Sequence, residues 1–317
     1  MNPTFRPMLA APVTTEEFKR LRFPVLATPK FDGIRIVTAD LPDGDNMCVP
    51  LCRSLKAVPN NYIRQHLSKY CYPGFDGEIM TYTYGKMDPF NVVQSKVMSQ
   101  LGHSNFVYHI FDCDIMADKP FAYFERLKLL GNITLPTFCE KVLPSRCETL
   151  DQLQEFGELA IVAGFEGMCF RTPESRYKYG RSTLKQQWLV KYKEFVDSEA
   201  IIVGVEQFFT NQNVAKLNEL GYLSRSTHAA GMVAKNMLGA LICEPLAGGN
   251  RFKIGTGFTE TQRENLWFTR STLGGKIVKF KHQPFGAKDN PRLPVFISIR
   301  DLRDMDITQS QKEFRLE

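Results

Sequence analysis

A lysine that is to act as a nucleophile must shed its proton. At a reference pKa of about 10.4 it needs neighbouring cations or desolvation to do so. Lys30-Phe31-Asp32-Gly33 places such a lysine between the strand-like segment 24–28 and the alternating run 34–37, in a tight loop at a pocket's edge. A lone K-x-D-G match is a weak signal. Trp188-Leu-Val-Lys191-Tyr-Lys193-Glu-Phe195 reads as a strand, in which residues two apart share a face, so Lys191 and Lys193 point together. Two ammonium groups there can neutralise a polyphosphate and press down the pKa of a third lysine. A pair of lysines is also how an exposed edge strand is blunted. Asp76-Gly-Glu78 sets two carboxylates on one strand face, and Glu166-Gly167 follows a helix end at Gly164. Beside a phosphate site such acids hold metal or ribose hydroxyls, although each alone is also an ordinary turn. The alternating strand 106–112 offers Phe111 for stacking on a base or for the core.

The elements that must position these groups divide the chain near residue 197. Over residues 1–196, β-rich runs at 24–28, 34–38, 75–82, 106–112, 166–171 and 188–193 alternate with helical segments. The best helix is 149–163, opened by a Thr149–Gln152 capping box and closed by Gly164. Residues 197–317 are strand-dominated, with runs at 199–208, 237–243, 251–256, 276–282 and 294–300 and one helix from Thr259 to about Arg270. The class is α+β, and five strands with a helix between the third and fourth is the order of an OB-fold barrel, a common oligonucleotide holder. A polar insert at about 210–236, some 25 residues long, reads as a functional or a disordered loop.

Composition bounds the rest. The 317 residues carry 40 Lys and Arg against 34 Asp and Glu, a net charge of +6 that by itself proves no nucleic-acid binding. Residues 171–193 hold a local +6 and residues 276–292 a local +4, which is a solvated face or a phosphate-binding one. An apolar fraction of 43% supports a packed core and excludes disorder. No run approaches the ~20 apolar residues that span a bilayer, and the N-terminal residues lack a signal-peptide core, so a soluble, unexported protein is expected. The eight cysteines include no C-x-x-C pair, which argues for reduced thiols rather than zinc.

The order of the motifs is informative as a whole. Lys-x-Asp-Gly, an Arg-containing segment (Cys52-Arg53-Ser54-Leu55-Lys56), Asp-Gly-Glu, an aromatic strand, Glu-Gly and Lys-x-Lys occur once each, followed by a five-strand domain. This succession resembles the covalent nucleotidyltransferase superfamily of ATP-dependent DNA ligases, RNA ligases and capping enzymes. Longer stretches are similar to the compact DNA ligases of large DNA viruses and bacteriophages: 23–35, 164–168, Tyr177-Lys-Tyr-Gly-Arg-Ser-Thr-Leu-Lys185, Gly221-Tyr-Leu-Ser-Arg-Ser-Thr-His228, 252–258 and 291–300. The resemblance covers about 23–304.

It implies a nucleotidyltransferase (adenylation) domain of antiparallel sheets with flanking helices at 1–196 and an OB-fold domain at 197–317. It implies an ATP-dependent ligase that seals nicked double-stranded DNA in replication, repair or recombination, as a monomer, without membrane, in the cytoplasm or a virus-infected cell's replication compartment. By the same resemblance Lys30 becomes the lysyl-AMP nucleophile, Lys191 and Lys193 contact the α-phosphate, Glu78 binds ribose and Phe111 stacks on adenine. Glu166, with Glu78, would hold Mg²⁺ or Mn²⁺. Asp32 and Arg35 act at the nick, and Arg53 and Arg181 meet the 5′-phosphate or AMP phosphate. Lys185 and Arg292 are further phosphate contacts. Arg300 and Asp304 occupy the last family motif, which serves the ATP pyrophosphate. The 210–236 insert becomes a DNA-clamping hairpin whose Arg225, His228 and Lys235 face phosphate. Leu55 and Leu293 stand where the viral relatives carry phenylalanine, which implies weaker stacking near the nick or stacking from another residue. An RNA ligase or capping nucleotidyltransferase shares the first-domain motifs and is the rival enzyme. A catalytically silent nick-binding protein is the rival of a different class. An NAD-dependent ligase lacks support because no four-cysteine zinc module is present.

Overall fold

The computed structural model describes residues 5–40, 48–113, 121–246, 248–283 and 290–300. The chain falls into two compact units, residues 1–193 with 217–222, and residues 194–216 with 223–317.

Described strands of the first unit are, in chain order, β1 (Ala11–Pro12), β2 (Val25–Lys30), β3 (Ile34–Asp40), β4 (Cys48–Cys52), β5 (Asp76–Thr83), β6 (Lys86–Met87), β7 (Phe106–Asp112), β8 (Cys139–Lys141), β9 (Ser145–Cys147), β10 (Gly167–Arg171) and β11 (Val190–Lys193). Its helices are α1 (Asn61–Tyr70), α2 (Phe90–Met98), α3 (Tyr123–Asn132) and α4 (Leu150–Val162). One sheet has the order β1-β11-β10-β2-β9; the other runs β4-β3-β5-β7-β8, with β6 on β5. Pairing is antiparallel except at β1 with β11 and at β7 with β8.

Each sheet is half covered by helix. Ile63 and Leu67 of α1 and Val93 and Val97 of α2 are fully buried in one core with Ile36 and Ile79 of the second sheet. Burying a side chain of this size contributes roughly 1.5–3 kcal/mol. Leu153 of α4 packs with Val25, Met168 and Phe170 of the first sheet. Thr149 caps α4 by accepting from Gln152 N at 3.3 Å. The Gln152 amide reaches one residue beyond the expected box, to Glu148 N at 2.7 Å.

The second unit contains β12 (Val196–Asn211), β13 (Ala215–Leu217), β14 (Leu223–Arg225), β15 (Met232–Pro245), β16 (Phe252–Ile254), α5 (Glu260–Phe268), β17 (Ile277–Gln283) and β18 (Arg292–Ile299). Its five-stranded sheet is ordered β16-β15-β12-β17-β18, and a parallel bridge between Thr256 and Val295 joins its two edges. The helix lies between β16 and β17, the third and fourth strands of this sheet in chain order, as expected, opened by a complete Thr259–Gln262 capping box. The 210–236 insert is more regular than a loop. β12 and β15 stay paired out to Asn211 and Met232, and β13 and β14 form a two-stranded hairpin beyond them.

Candidate active site

Lys30 is the last residue of β2 rather than part of the loop expected there, because β10 pairs along it to the end, with Gly167 opposite Lys30. On its other edge β10 pairs with β11, which puts the same Gly167 opposite Lys193 and Cys169 opposite Lys191. Glu166 precedes that glycine and is tied to Lys30 by its amide, which donates to Lys30 O at 3.0 Å. Its carboxylate therefore lies between two lysines. Oε2 is 2.5 Å from Lys30 Nζ, and Oε1 accepts from Lys193 Nζ. Glycine at 167 has φ 149°, and a Cβ there would run into the Tyr192 carbonyl on β11, so Glu-Gly at this point follows from sheet packing.

The facing groups come from the other sheet. Register sets Arg35 of β3 beside Glu78 of β5, and Phe111 follows on β7. Arg35 donates to both oxygens of the buried Asp76, at 2.8 and 2.5 Å, and to Met8 O at 2.5 Å; Tyr177 OH donates to Asp76 at 2.6 Å. Its guanidinium carbon stands 5.6 Å from the Phe111 ring centroid. Lys30, Arg35, Glu78, Phe111 and Lys191 line one cleft of about 190 Å³, with Arg53 and Arg181 at exposed positions of its wall.

The electrostatics correct one expectation. Burial alone disfavours the Lys30 ammonium, but Cys169, Glu166 and Glu78 beside it outweigh that, and its pKa is raised rather than pressed down. Glu166, lying between Lys30 and Lys193, adds a hydrogen bond to its charge. Lys191 is the lysine whose pKa is lowered, by burial and then by Lys193 and Lys30. Burial works against the Glu166 carboxylate, yet the charges of Lys30 and Lys193 bring its pKa down to about 2. Burial pushes Glu78 up to about 7, with Lys30 and Arg35 offsetting part of the effect.

Glu166 therefore stabilises the fold above about pH 4.5, a contribution lost as the pH falls toward 2. Glu78 has the opposite sign. The folded protein takes up its proton as the pH falls through 7, and the cost of burying the charged form vanishes below the reference value of 4.5. Glu78→Gln is expected to raise the thermal midpoint at pH 8 and to leave it nearly unchanged at pH 4.5. Calorimetry at the two pH values checks this; an equal shift at both would contradict it.

Among the described residues no cluster of three or more metal-ligating side chains occurs. Two acids, Glu78 in the cleft and Glu166 beside Lys30, instead make the sparse carboxylate set that suits a divalent cation arriving with phosphate.

Several lining residues were not singled out from sequence: Leu9, Ala10, Thr28, Cys169, Arg171 and Leu189. Leu9 and Ala10 join the cleft because β1 pairs with β11 far along the chain, which leaves no local signal. Arg171 counted only as part of the basic run. It is 5% exposed, donates to Asp112 at 2.6 Å and lies 4.0 Å from the Tyr123 ring centroid. Asp32 is partly exposed in the loop after Lys30 and Lys185 is exposed; neither lines the cleft. Arg225, His228, Lys235, Arg292 and Arg300 belong to the second unit. There Arg225 donates to Asn213 O, His228 caps a short 3₁₀ turn, and Arg300 pairs with Glu199 at 2.5 Å. Asp304 lies outside the described residues. Leu55 and Leu293 both adopt left-handed backbone, at φ 63° and 50°.

Residues 7–193 match the family described as ATP dependent DNA ligase domain, and residues 231–300 match DNA ligase OB-like domain. A DNA ligase of Archaeoglobus fulgidus is 26% identical over 319 residues, covering 87% of this chain. The chain spans about half the length of that relative, 52%. The crystal structure of Chlorella virus DNA ligase-adenylate is 30% identical with a TM-score of 0.51, covering 94% of this chain and 99% of the viral one. A Lig E DNA ligase, at 22% identity, shares the fold with a TM-score of 0.67 over 93% of this chain and 99% of its own.

Proposed function

We propose that this chain, which belongs to the family of ATP-dependent DNA ligases, seals 5′-phosphate/3′-hydroxyl nicks in duplex DNA by way of AMP carried on Lys30. The observation that carries this reading is the grid in which Lys30, Glu166 and Lys193 meet at Gly167, beside a cleft lined by Glu78, Phe111 and Lys191. The Lys30 amine attacks the α-phosphorus of ATP; an N–P bond forms, the bond to pyrophosphate breaks, and the lysine gives up a proton. That proton passes to water, and Glu166, which stays ionised, holds the Lys30 nitrogen in place. Lys191 and Lys193 offset the charge that builds on the α-phosphate, where preset cations act most strongly. Phe111 offers its face to adenine and Glu78 an acceptor for the ribose hydroxyls.

Reprotonation of the phosphoramidate nitrogen makes Lys30 a good leaving group. AMP then passes to the 5′-phosphate of the nick, and the 3′-hydroxyl displaces it. Asp32, Arg35, Arg53, Arg181 and Lys185 are assigned to these DNA steps, Arg300 and Asp304 to the pyrophosphate. Glu166 and Glu78 would hold Mg²⁺, whose contribution is to neutralise phosphate charge. Residues Arg225, His228 and Lys235 on the ribbon and hairpin of the second unit, with Arg292, meet the duplex phosphates, so raised salt weakens nick binding more than lysine adenylylation. The protein works as a monomer on nicked duplex DNA.

Incubation with α-labelled ATP and Mg²⁺ is expected to label the protein, and the labelled protein to seal a 5′-phosphorylated nicked duplex. Labelling by GTP but not ATP, or sealing confined to RNA strands, would overturn the assignment in favour of a capping enzyme or RNA ligase.

A further inference from the structure

Gln187 has a left-handed backbone, φ 51°, yet is only 1% exposed. Holding a non-glycine residue there costs about 1–3 kcal/mol, which the surroundings must offset. The Gln187 amide does so by pairing with one residue: Oε1 accepts from Arg22 N at 2.8 Å, and Nε2 donates to Arg22 O at 3.1 Å. These are the two bonds one strand residue makes to another. Arg22 answers with its side chain, Nη2 donating to Lys185 O at 2.9 Å and to Gln186 O at 3.2 Å.

The opposite end of the same loop is tied to residues further upstream. Leu9 N donates to Gly180 O and Ser182 N to Leu9 O, both at 2.8 Å, and Arg181 Nη1 reaches Ala10 O at 2.9 Å. Segment 181–187 is thus fastened at both ends to the N-terminal residues. It presents Arg181 to the cleft wall and Lys185 to solvent, and residues 175–193 contain no acid.

We propose that Gln187 and Arg22 are positioning residues that preset this loop as a cradle for the 5′-phosphate of the nick. The inference rests on the ligase reading, and concerns the DNA steps alone. A loop fixed before DNA arrives loses less freedom on binding.

The test uses the full chain, labelled to completion with ATP, in single-turnover sealing across a range of nicked-duplex concentrations. Arg22 is exposed, so Arg22→Ala is expected to fold normally. It should raise the half-saturating nick concentration about tenfold, the scale of one charge-assisted hydrogen bond, with maximal sealing rate and lysine labelling within about twofold of wild type. Gln187→Glu, which can accept from Arg22 N but cannot donate to Arg22 O, should move half-saturation the same way. Arg22→Lys separates geometry from charge: it keeps the charge without the fork across two carbonyls and should behave as Arg22→Ala. Recovery of wild-type binding by Arg22→Lys, an unchanged half-saturation in Arg22→Ala, or a parallel loss of labelling and sealing would each overturn the proposal. A wild-type protein that labels yet seals no nick would instead overturn the ligase reading, and this inference with it.

Discussion

Replacing Lys30 by alanine is expected to take covalent labelling by α-labelled ATP to background, a loss on the order of 10⁴-fold or more. The expected size follows from removal of the atom proposed to form the bond, since none of the neighbouring groups can take over its place. Lys191 and Lys193 register opposite Cys169 and Gly167, one strand or more away from the end of β2, and Lys193 is engaged by Glu166. Lys30→Arg is expected to be equally silent, because a guanidinium stays protonated and does not attack. The defect should be confined to the first two steps. Given nicked DNA that already carries AMP on its 5′-phosphate, Lys30→Ala should still join the strand, because the 3′-hydroxyl attacks without a bond to lysine. Retained labelling of Lys30→Ala would place the nucleophile elsewhere.

The second large effect is on stability. Asp112 is buried between two buried arginines: Arg126 donates to it at 2.7 and 3.1 Å and Arg171 at 2.6 Å. Its Oδ1 also accepts from Cys113 N at 3.0 Å. Removing one partner of a buried ion pair costs about 3–5 kcal/mol, since the other charge stays desolvated. Asp112→Ala leaves two such charges within a fold whose whole stability is on the order of 5–15 kcal/mol. Urea titration should therefore show Asp112→Ala at or near the limit of folding at 25 °C. Asp112→Asn, which keeps the shape and an acceptor, should lie between it and wild type. A loss below about 1 kcal/mol would mean that water reaches the arginines. Because Arg171 also lines the cleft, the surviving Asp112→Asn protein should bind ATP more weakly.

Legibility from sequence followed locality. Strand 106–112 and helix Leu150–Val162 were readable because alternation and a capping residue lie within the element. So were the identities of Lys30, Glu78, Phe111 and Lys191, which stand in short strand-borne motifs and do share one cleft. The charge state of Lys30 was not readable. It depends on β10 lying between β2 and β11, a register that sets Glu166 between Lys30 and Lys193, whereas the spacing of Lys191 and Lys193 alone suggests cations pressing a third lysine's pKa down. The Asp112 network was hidden for a related reason: Arg126 and Arg171 look like ordinary surface cations until α3 and β10 bury them. Leu9 and Ala10 carry no chemical signal, and only the parallel β1–β11 pairing brings them to the cleft.

That pairing also orders the birth of the protein. Ala11 finds its partner at Val190, and Leu9 at Arg181. Contacts between such distant residues are slow to form, because a long loop must close before they contribute. During synthesis the cleft's first wall emerges early and stays without its partner until the chain has grown past β11. Lys30 emerges long before Glu166, its ion-pair partner, and before Lys193, which shares that carboxylate, so a growing chain carries the proposed nucleophile but no assembled site. On the proposed reading, capacity to capture ATP arrives only with β11, close to the moment when the first unit can fold as a whole.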